Sequence, residues 1–346
     1  MGFCLWLGRF SCMNTKTIAV MGAGSFGTAI SWMLLRSGVA VRLWCFREEE
    51  AQSINQNHHN TVLLPDCDLT GVYATHDAAD AVDGVDGVIV VTPSFGVRDI
   101  LEAMKPSLPV TTPLLILSKG LDPVTGQTFV EVAHEILGGM DRIGVLAGPN
   151  HAEELSRGCI AGAVVACKDL EVAKFFQEAI SNDFYRIYIT DDPLGVSLCA
   201  ASKNVIAIAC GIARGMEFGD NAVALLMTRG LQEICRLVCA CGGSMHTCLG
   251  LAGVGDLDVT CNSPHSRNGS YGEAFAKKGI SVKDYEERRH MVVEGAHAVG
   301  PLLRLAAEKG VEMPIMETVS HLIHGGGKVH DAVAALMGRP LKGESW

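Results

Sequence analysis

Between Asp192 and Arg214 the only charged residue is Lys203, set in a run of apolar and small side chains. A helix that is apolar on nearly all sides is a buried helix. An ammonium group in its middle is costly unless it is paired or used for chemistry. Desolvation lowers a lysine pKa toward neutrality, where the amine can both give and take a proton. Reduction of a ketone needs that: hydride arrives from a carrier, and the developing alkoxide needs a proton. Lys203 is therefore the candidate acid–base, and Asn204 stands beside it to hold the amine or the substrate. The competing reading is a lysine that buries its stem and snorkels its head to the surface.

A hydride carrier has its own signature. The turn Gly22-Ala23-Gly24-Ser25-Phe26-Gly27 follows a β-rich run at 17–21 and opens a helical stretch at 28–36. In that context Gly22 permits the tight turn and Gly24 lets backbone approach a pyrophosphate. Gly27 lets the helix pack on the strand, while the helix N-terminus favours the phosphate charge. Phe46 and Arg47 close the second β run. Arg47 can pair with a 2′-phosphate and stack on adenine, which favours NADP(H). Glu48, Glu49 and Glu50 follow at once and leave NAD(H) open.

A third constellation lies at 249–272, with Gly250, Gly253 and Gly255 before Asp256, then Ser266, Arg267 and Asn268. Such a glycine-rich polar stretch is long for a connector in a helical region. Arg267 offers a fork for phosphate, and Ser266 and Asn268 add short donors. Asp256 is acceptor-only at neutral pH and suits a substrate hydroxyl or Lys203. A flexible surface loop is the alternative. Val292-Val293-Glu294-Gly295 is placed to reach the cofactor from the second half. His324-Gly325-Gly326-Gly327-Lys328 superficially resembles a phosphate loop, but no strand precedes it, so it reads as a helix–helix turn.

The elements that must position these residues follow from periodicity. Short β-rich runs at 17–21, 39–45, 71–75, 88–92, 114–117, 143–147, 161–166 and 185–189 alternate with helical stretches. Alternation of this kind gives βαβ units and a mainly parallel sheet. Beyond residues 191–193 helical patterns dominate. The fold class is α/β: a Rossmann-type, doubly wound, mainly parallel sheet followed by an all-α C-terminal domain. The boundaries are an N-terminal extension (1–15), a dinucleotide-binding domain (16–192) and a helical substrate and catalytic domain (193–340). In such sheets ligands bind outside the carboxyl ends of the strands. Five unusual turns fall there: 22–27, 46–47, 92–94, 118–120 and 148–150.

Composition narrows the function classes. The chain has 346 residues and a net charge of −10. That charge opposes nucleic-acid binding, which needs a phosphate-neutralising surface. No uninterrupted apolar run reaches the ~18 residues of a clean membrane span, so stable membrane insertion is not expected. The 13 cysteines form no C-x-x-C pair, which suits reduced thiols in a cytoplasmic protein. Cys235, Cys239, Cys241, His246 and Cys248 do not have zinc-motif spacing, and no metal is assigned. The first 13 residues are apolar but lack signal-peptide features, and Met13 is an alternative start.

Taken in order, GAGSFGTA (22–29), SKGL (118–121), AGPN (147–150), SKNVIAIACGI (202–212), LAGVGDL (251–257), SRN (266–268), VVEG (292–295) and EMPI (312–315) are similar to the motifs of NAD(P)-dependent glycerol-3-phosphate dehydrogenases of bacterial type. The resemblance runs from about Lys16 to about Arg339. It implies interconversion of dihydroxyacetone phosphate and sn-glycerol 3-phosphate for phospholipid synthesis in the cytoplasm. It implies Lys203 as proton acceptor, with substrate positions at Lys119, Gly148, Asn150, Asp256, Ser266, Arg267 and Asn268. It implies nucleotide positions at Ser25, Phe26, Phe46, Lys119, Ala152, Arg267, Val292 and Glu294. Phe26, Asn150 and Phe46 depart from residues frequent in the family, where tyrosine, threonine and histidine are common. Homodimerisation stays open. The rival readings are a related two-domain dehydrogenase of a sugar-acid phosphate and a cofactor-binding sensor without turnover.

Overall fold

The computed structural model describes residues 16–341 and 343–344; the expected N-terminal extension (1–15) lies outside the described residues. Eight strands form one sheet: β1 Thr17–Met21, β2 Ala40–Trp44, β3 Tyr73–Thr75, β4 Gly87–Val90, β5 Leu114–Ile116, β6 Ile143–Ala147, β7 Ala161–Ala166 and β8 Tyr185–Thr190. Their spatial order is β3-β2-β1-β4-β5-β6-β7-β8. All pairings are parallel except β6 with β7. Each expected β run therefore yields a strand. The third is shorter than its run because Gly71 takes a positive φ of 95° and Val72 N–H closes a turn onto Leu69 C=O.

Strand period does the sorting in β1. Ile18 and Val20 face one apolar core, while Ala19 and Met21 face the other. Order reverses between β1 and β4, the switch point where a doubly wound sheet opens a crevice. The strands β1, β2, β4, β5 and β6 run the same way, so all five unusual turns lie on one edge.

The helical half is built around the helix Pro193–Gly215. Asp192 caps it, accepting from Gly195 N–H at 2.9 Å, and Pro193 occupies a position where its missing N–H costs nothing. The Asp192 carboxylate also accepts from Ser244 N–H and Thr247 Oγ1, which fastens the following segment to the same cap. Among the described residues this is the one helix long and apolar enough to cross a membrane, and its most apolar stretch is wholly buried in the protein. One core runs without a break from the sheet face of Ala19, Met21, Val88 and Val90 through Val196, Leu198 and Val205 of that helix. The eleven described cysteines are free thiols, most of them buried. Residues 326–328 join the helices Pro314–Gly325 and Val329–Met337 as a plain helix–helix turn.

Candidate active site

The glycine turn leads from β1 into the helix Ser25–Arg36. A Cβ on Gly27 would lie 1.8 Å from Gly22 C=O, so helix and turn can pack only with glycine there. A Cβ on Gly24 would meet nothing within 4 Å. Protein packing therefore gives no reason for glycine at 24, whereas a ligand pressed against the backbone does. No side chain caps this helix, so its first N–H groups stay free for an anion. At the end of β2, Phe46 is 79% exposed and Arg47 stands at the N-cap of the helix Glu48–Asn57. An exposed ring beside a guanidinium is a surface on which an adenine can stack. These features fit a dinucleotide laid across the rim.

Lys203 is 4% exposed, not snorkelled. Its Nζ donates to Asp256 Oδ1 and to Thr260 Oγ1, the latter at 2.6 Å. The Thr260 hydroxyl donates its hydrogen bond to Asp256 C=O, so its oxygen is free to accept. Two of the three ammonium hydrogens are thus engaged and one remains for a ligand. Lys119 Nζ donates to the other carboxylate oxygen, Asp256 Oδ2, at 3.2 Å. Burial lowers the Lys203 pKa, Asp256 opposes that, and Lys119 lowers it further. Burial alone would raise Asp256, but the two ammonium groups outweigh it and hold the carboxyl below its ordinary range. The result is a desolvated amine poised to exchange a proton, oriented by a carboxylate that stays ionised.

The stretch 249–272, for which a flexible surface loop is the alternative reading, is mostly helical. A π-helical turn at Leu251–Gly255 delivers Asp256 into the helix Asp256–Asn262, and only residues 263–266 separate that from the helix Arg267–Lys278. Ser266 Oγ caps the second helix by accepting from Gly269 N–H, and its own proton remains to be donated. Arg267 is exposed at the first helical position. A guanidinium, a hydroxyl and a helix N-terminus together make an anion site. Asn268 Nδ2 donates to Asn204 Oδ1 at 3.0 Å, and Asn268 Oδ1 accepts from Gly295 N–H at 2.9 Å. The two asparagines therefore tie the Lys203 helix, the Arg267 helix and the Glu294 segment together.

The rim supplies the facing residues. Asn150, after β6, donates from Nδ2 to the buried Tyr185 hydroxyl at 3.0 Å, leaving its carbonyl for a ligand. Gly148 lies in the same turn and Ala152 opens the short helix Ala152–Leu155. Glu294 Oε1 accepts from Ser94 N–H at 3.4 Å, while its Oε2 is buried without a partner. Val292 and Glu294 line a cleft of about 350 Å³ with Ser94, Phe95 and Gly120. Three residues were not singled out by sequence. Thr260 sits one helical turn after Asp256, a spacing that could have revealed it. Tyr185 and His151 carry no such local sign. Burial lowers the pKa of His151, and the charges of Lys203 and Lys119 lower it further. Among the described residues no cluster of His, Cys, Asp and Glu is arranged to hold a metal ion.

Comparison with known proteins adds a family to this geometry. Residues 17–173 match the model of the NAD-dependent glycerol-3-phosphate dehydrogenase N-terminus, and residues 192–334 match that of its C-terminus. The chain is 41% identical over 326 residues to the glycerol-3-phosphate dehydrogenase [NAD(P)+] of Moorella thermoacetica, covering 94% of this chain and 96% of that one. It is 41% identical over 332 residues to the enzyme of the same name from Nocardia farcinica, covering 94% and 99%. A crystal structure of glycerol-3-phosphate dehydrogenase from Coxiella burnetii superposes with a TM-score of 0.88 at 33% identity, covering 94% and 99%.

Proposed function

The chain belongs to the NAD-dependent glycerol-3-phosphate dehydrogenase family, and on that premise we propose that its cleft interconverts dihydroxyacetone phosphate and sn-glycerol 3-phosphate with NAD(P)H as the reductant. It is an NAD(P)-dependent oxidoreductase acting on a CH–OH group. The observation that carries this reading is the buried Lys203–Asp256 pair joined to the half-buried Lys119 on the rim of a dinucleotide fold. Hydride is the chemistry the dinucleotide supplies when bound.

The remaining steps fall to this chain's residues. Ser266, Arg267 and the helix N-terminus hold the substrate phosphate, which provides binding energy remote from the carbonyl. Lys203 gives its free proton to the ketone oxygen as charge develops there and takes it back in the reverse direction. Lys119 adds positive charge on the same side, and Asp256 fixes both amines. Asn150, held by Tyr185, presents its carbonyl to a substrate hydroxyl. The product is the backbone unit of glycerophospholipids.

Oxidation of NADPH by the purified chain, followed by nicotinamide absorbance with dihydroxyacetone phosphate, tests the reading, with NADH run in parallel. Turnover is expected with the phosphate ester, and none with unphosphorylated dihydroxyacetone. Lys203→Ala should lower kcat by about 10²–10⁴-fold with KM little changed. NADPH binding without turnover would instead identify a sensor.

A further inference from the structure

Residues 290–293 join the helices Val282–Arg289 and Glu294–Glu308. The link leaves the first helix through His290 in the left-handed conformation, φ 51°. The second helix begins at Val293, whose side chain offers no cap. One side chain makes up for that. Glu286 Oε1 accepts from Val293 N–H at 2.7 Å and lies 2.9 Å from His297 Nε2. Its backbone C=O also accepts from Met291 N–H. Glu286 thus grips the link, the start of the next helix and, through His297, that helix's first turn.

Glu286 and His297 line the same cleft as Val292 and Glu294, against Ser94 and Gly120 at the ends of β4 and β5. A dinucleotide crosses a doubly wound sheet from one side of the switch point to the other. The β1 glycine turn fixes its pyrophosphate, and Phe46 with Arg47 marks the adenosine side. The β4–β5 rim therefore receives the nicotinamide half. We infer that Glu286, braced by His297, is a positioning residue for the dinucleotide: it holds Val292 and Glu294 against the β4–β5 rim and so sets cofactor affinity. This rests on the reading that Val292 and Glu294 face the dinucleotide.

The test measures the NADPH dissociation constant by fluorescence for the wild type, Glu286→Ala, Glu286→Gln, His297→Ala and Glu294→Ala. KM for dihydroxyacetone phosphate is measured at saturating NADPH, and Tm without ligand. Loss of the charged hydrogen bond should weaken NADPH binding by about ten-fold in Glu286→Ala, with the substrate KM within about two-fold. Glu286→Gln keeps an acceptor for Val293 N–H and should stay within about three-fold of the wild type, and His297→Ala should fall between the two. A merely structural role would lower Tm and leave this split and this rescue absent. Wild-type NADPH affinity in Glu286→Ala, with Glu294→Ala weakened, overturns the inference alone; so does equal loss in the Ala and Gln variants. Unchanged affinity in Glu294→Ala overturns the reading beneath it as well. Should Glu286→Ala fail to fold, wild-type NADPH affinity in His297→Ala overturns the inference.

Discussion

At the scale of single residues, the site turns on how one buried carboxylate serves two amines. Asp256 is 1% exposed and is the acceptor for both Lys203 and Lys119. Asp256→Asn removes the charge and keeps the shape. Breaking a buried pair typically costs about 3–5 kcal/mol, so urea unfolding should show a lower midpoint. Lys203 loses the partner that raises its pKa, so less of the amine carries the proton that ketone reduction needs at neutral pH, and kcat falls with stability. Arg267 behaves differently because it is exposed. Arg267→Ala should leave the unfolding midpoint unchanged and raise KM for dihydroxyacetone phosphate by about ten-fold or more, the loss of a charge-assisted hydrogen bond. Equal KM values for variant and wild type would move the phosphate elsewhere. Lys203 was legible in the sequence because a lone charge in an apolar run is an energetic anomaly. Tyr185, which holds Asn150, and His151 were less so, since they are ordinary residues whose meaning lies in what folds against them.

Among elements, the contrast is between turns and helices. Strand–turn–helix grammar placed the glycine turn and the four other rim segments, because period and glycine position are local properties. In the segment 249–272 glycine left a loop open as the alternative, yet here it permits a π-helical turn and close helix packing. Helix ends held from a distance are equally invisible. Glu233, on the helix Asp220–Ala240, accepts from Ile315 N–H at 2.7 Å and Met316 N–H at 3.3 Å and so caps the helix Pro314–Gly325. Burial pushes its carboxyl up to about 7, while the two N–H groups pull the other way. Because the folded pKa lies above the unfolded one, the folded state binds the proton more tightly. Its stability contribution is full below the unfolded pKa and is lost as pH rises toward about 7. Thermal unfolding of the wild type should therefore decline over that window relative to Glu233→Gln, which cannot ionise. Parallel curves for the two proteins would show that Glu233 ionises in the fold as freely as in the unfolded chain.

For the whole molecule, the question is whether the sheet half and the helical half act as one body. Their apolar cores merge, and polar links cross the cleft, among them Lys119 to Asp256, Ser94 to Glu294, and Arg304 to the Pro123 carbonyl at 2.9 Å. Cutting through a shared core would expose large apolar faces on both pieces, so separate unfolding is disfavoured. Two probes weight the halves differently. Of the four tryptophans, the described Trp32 and Trp44 both belong to the sheet half, whereas far-ultraviolet dichroism is dominated by helices. With Trp6 and Trp346 changed to Phe, fluorescence follows the sheet half alone. The two signals should share one midpoint, and NADPH at about one hundred times its dissociation constant should stabilise both together by about 2.7 kcal/mol. Separate midpoints, or a ligand shift confined to fluorescence, would mean that the cofactor's hold ends at the β rim and that Lys203 is brought to it by domain motion.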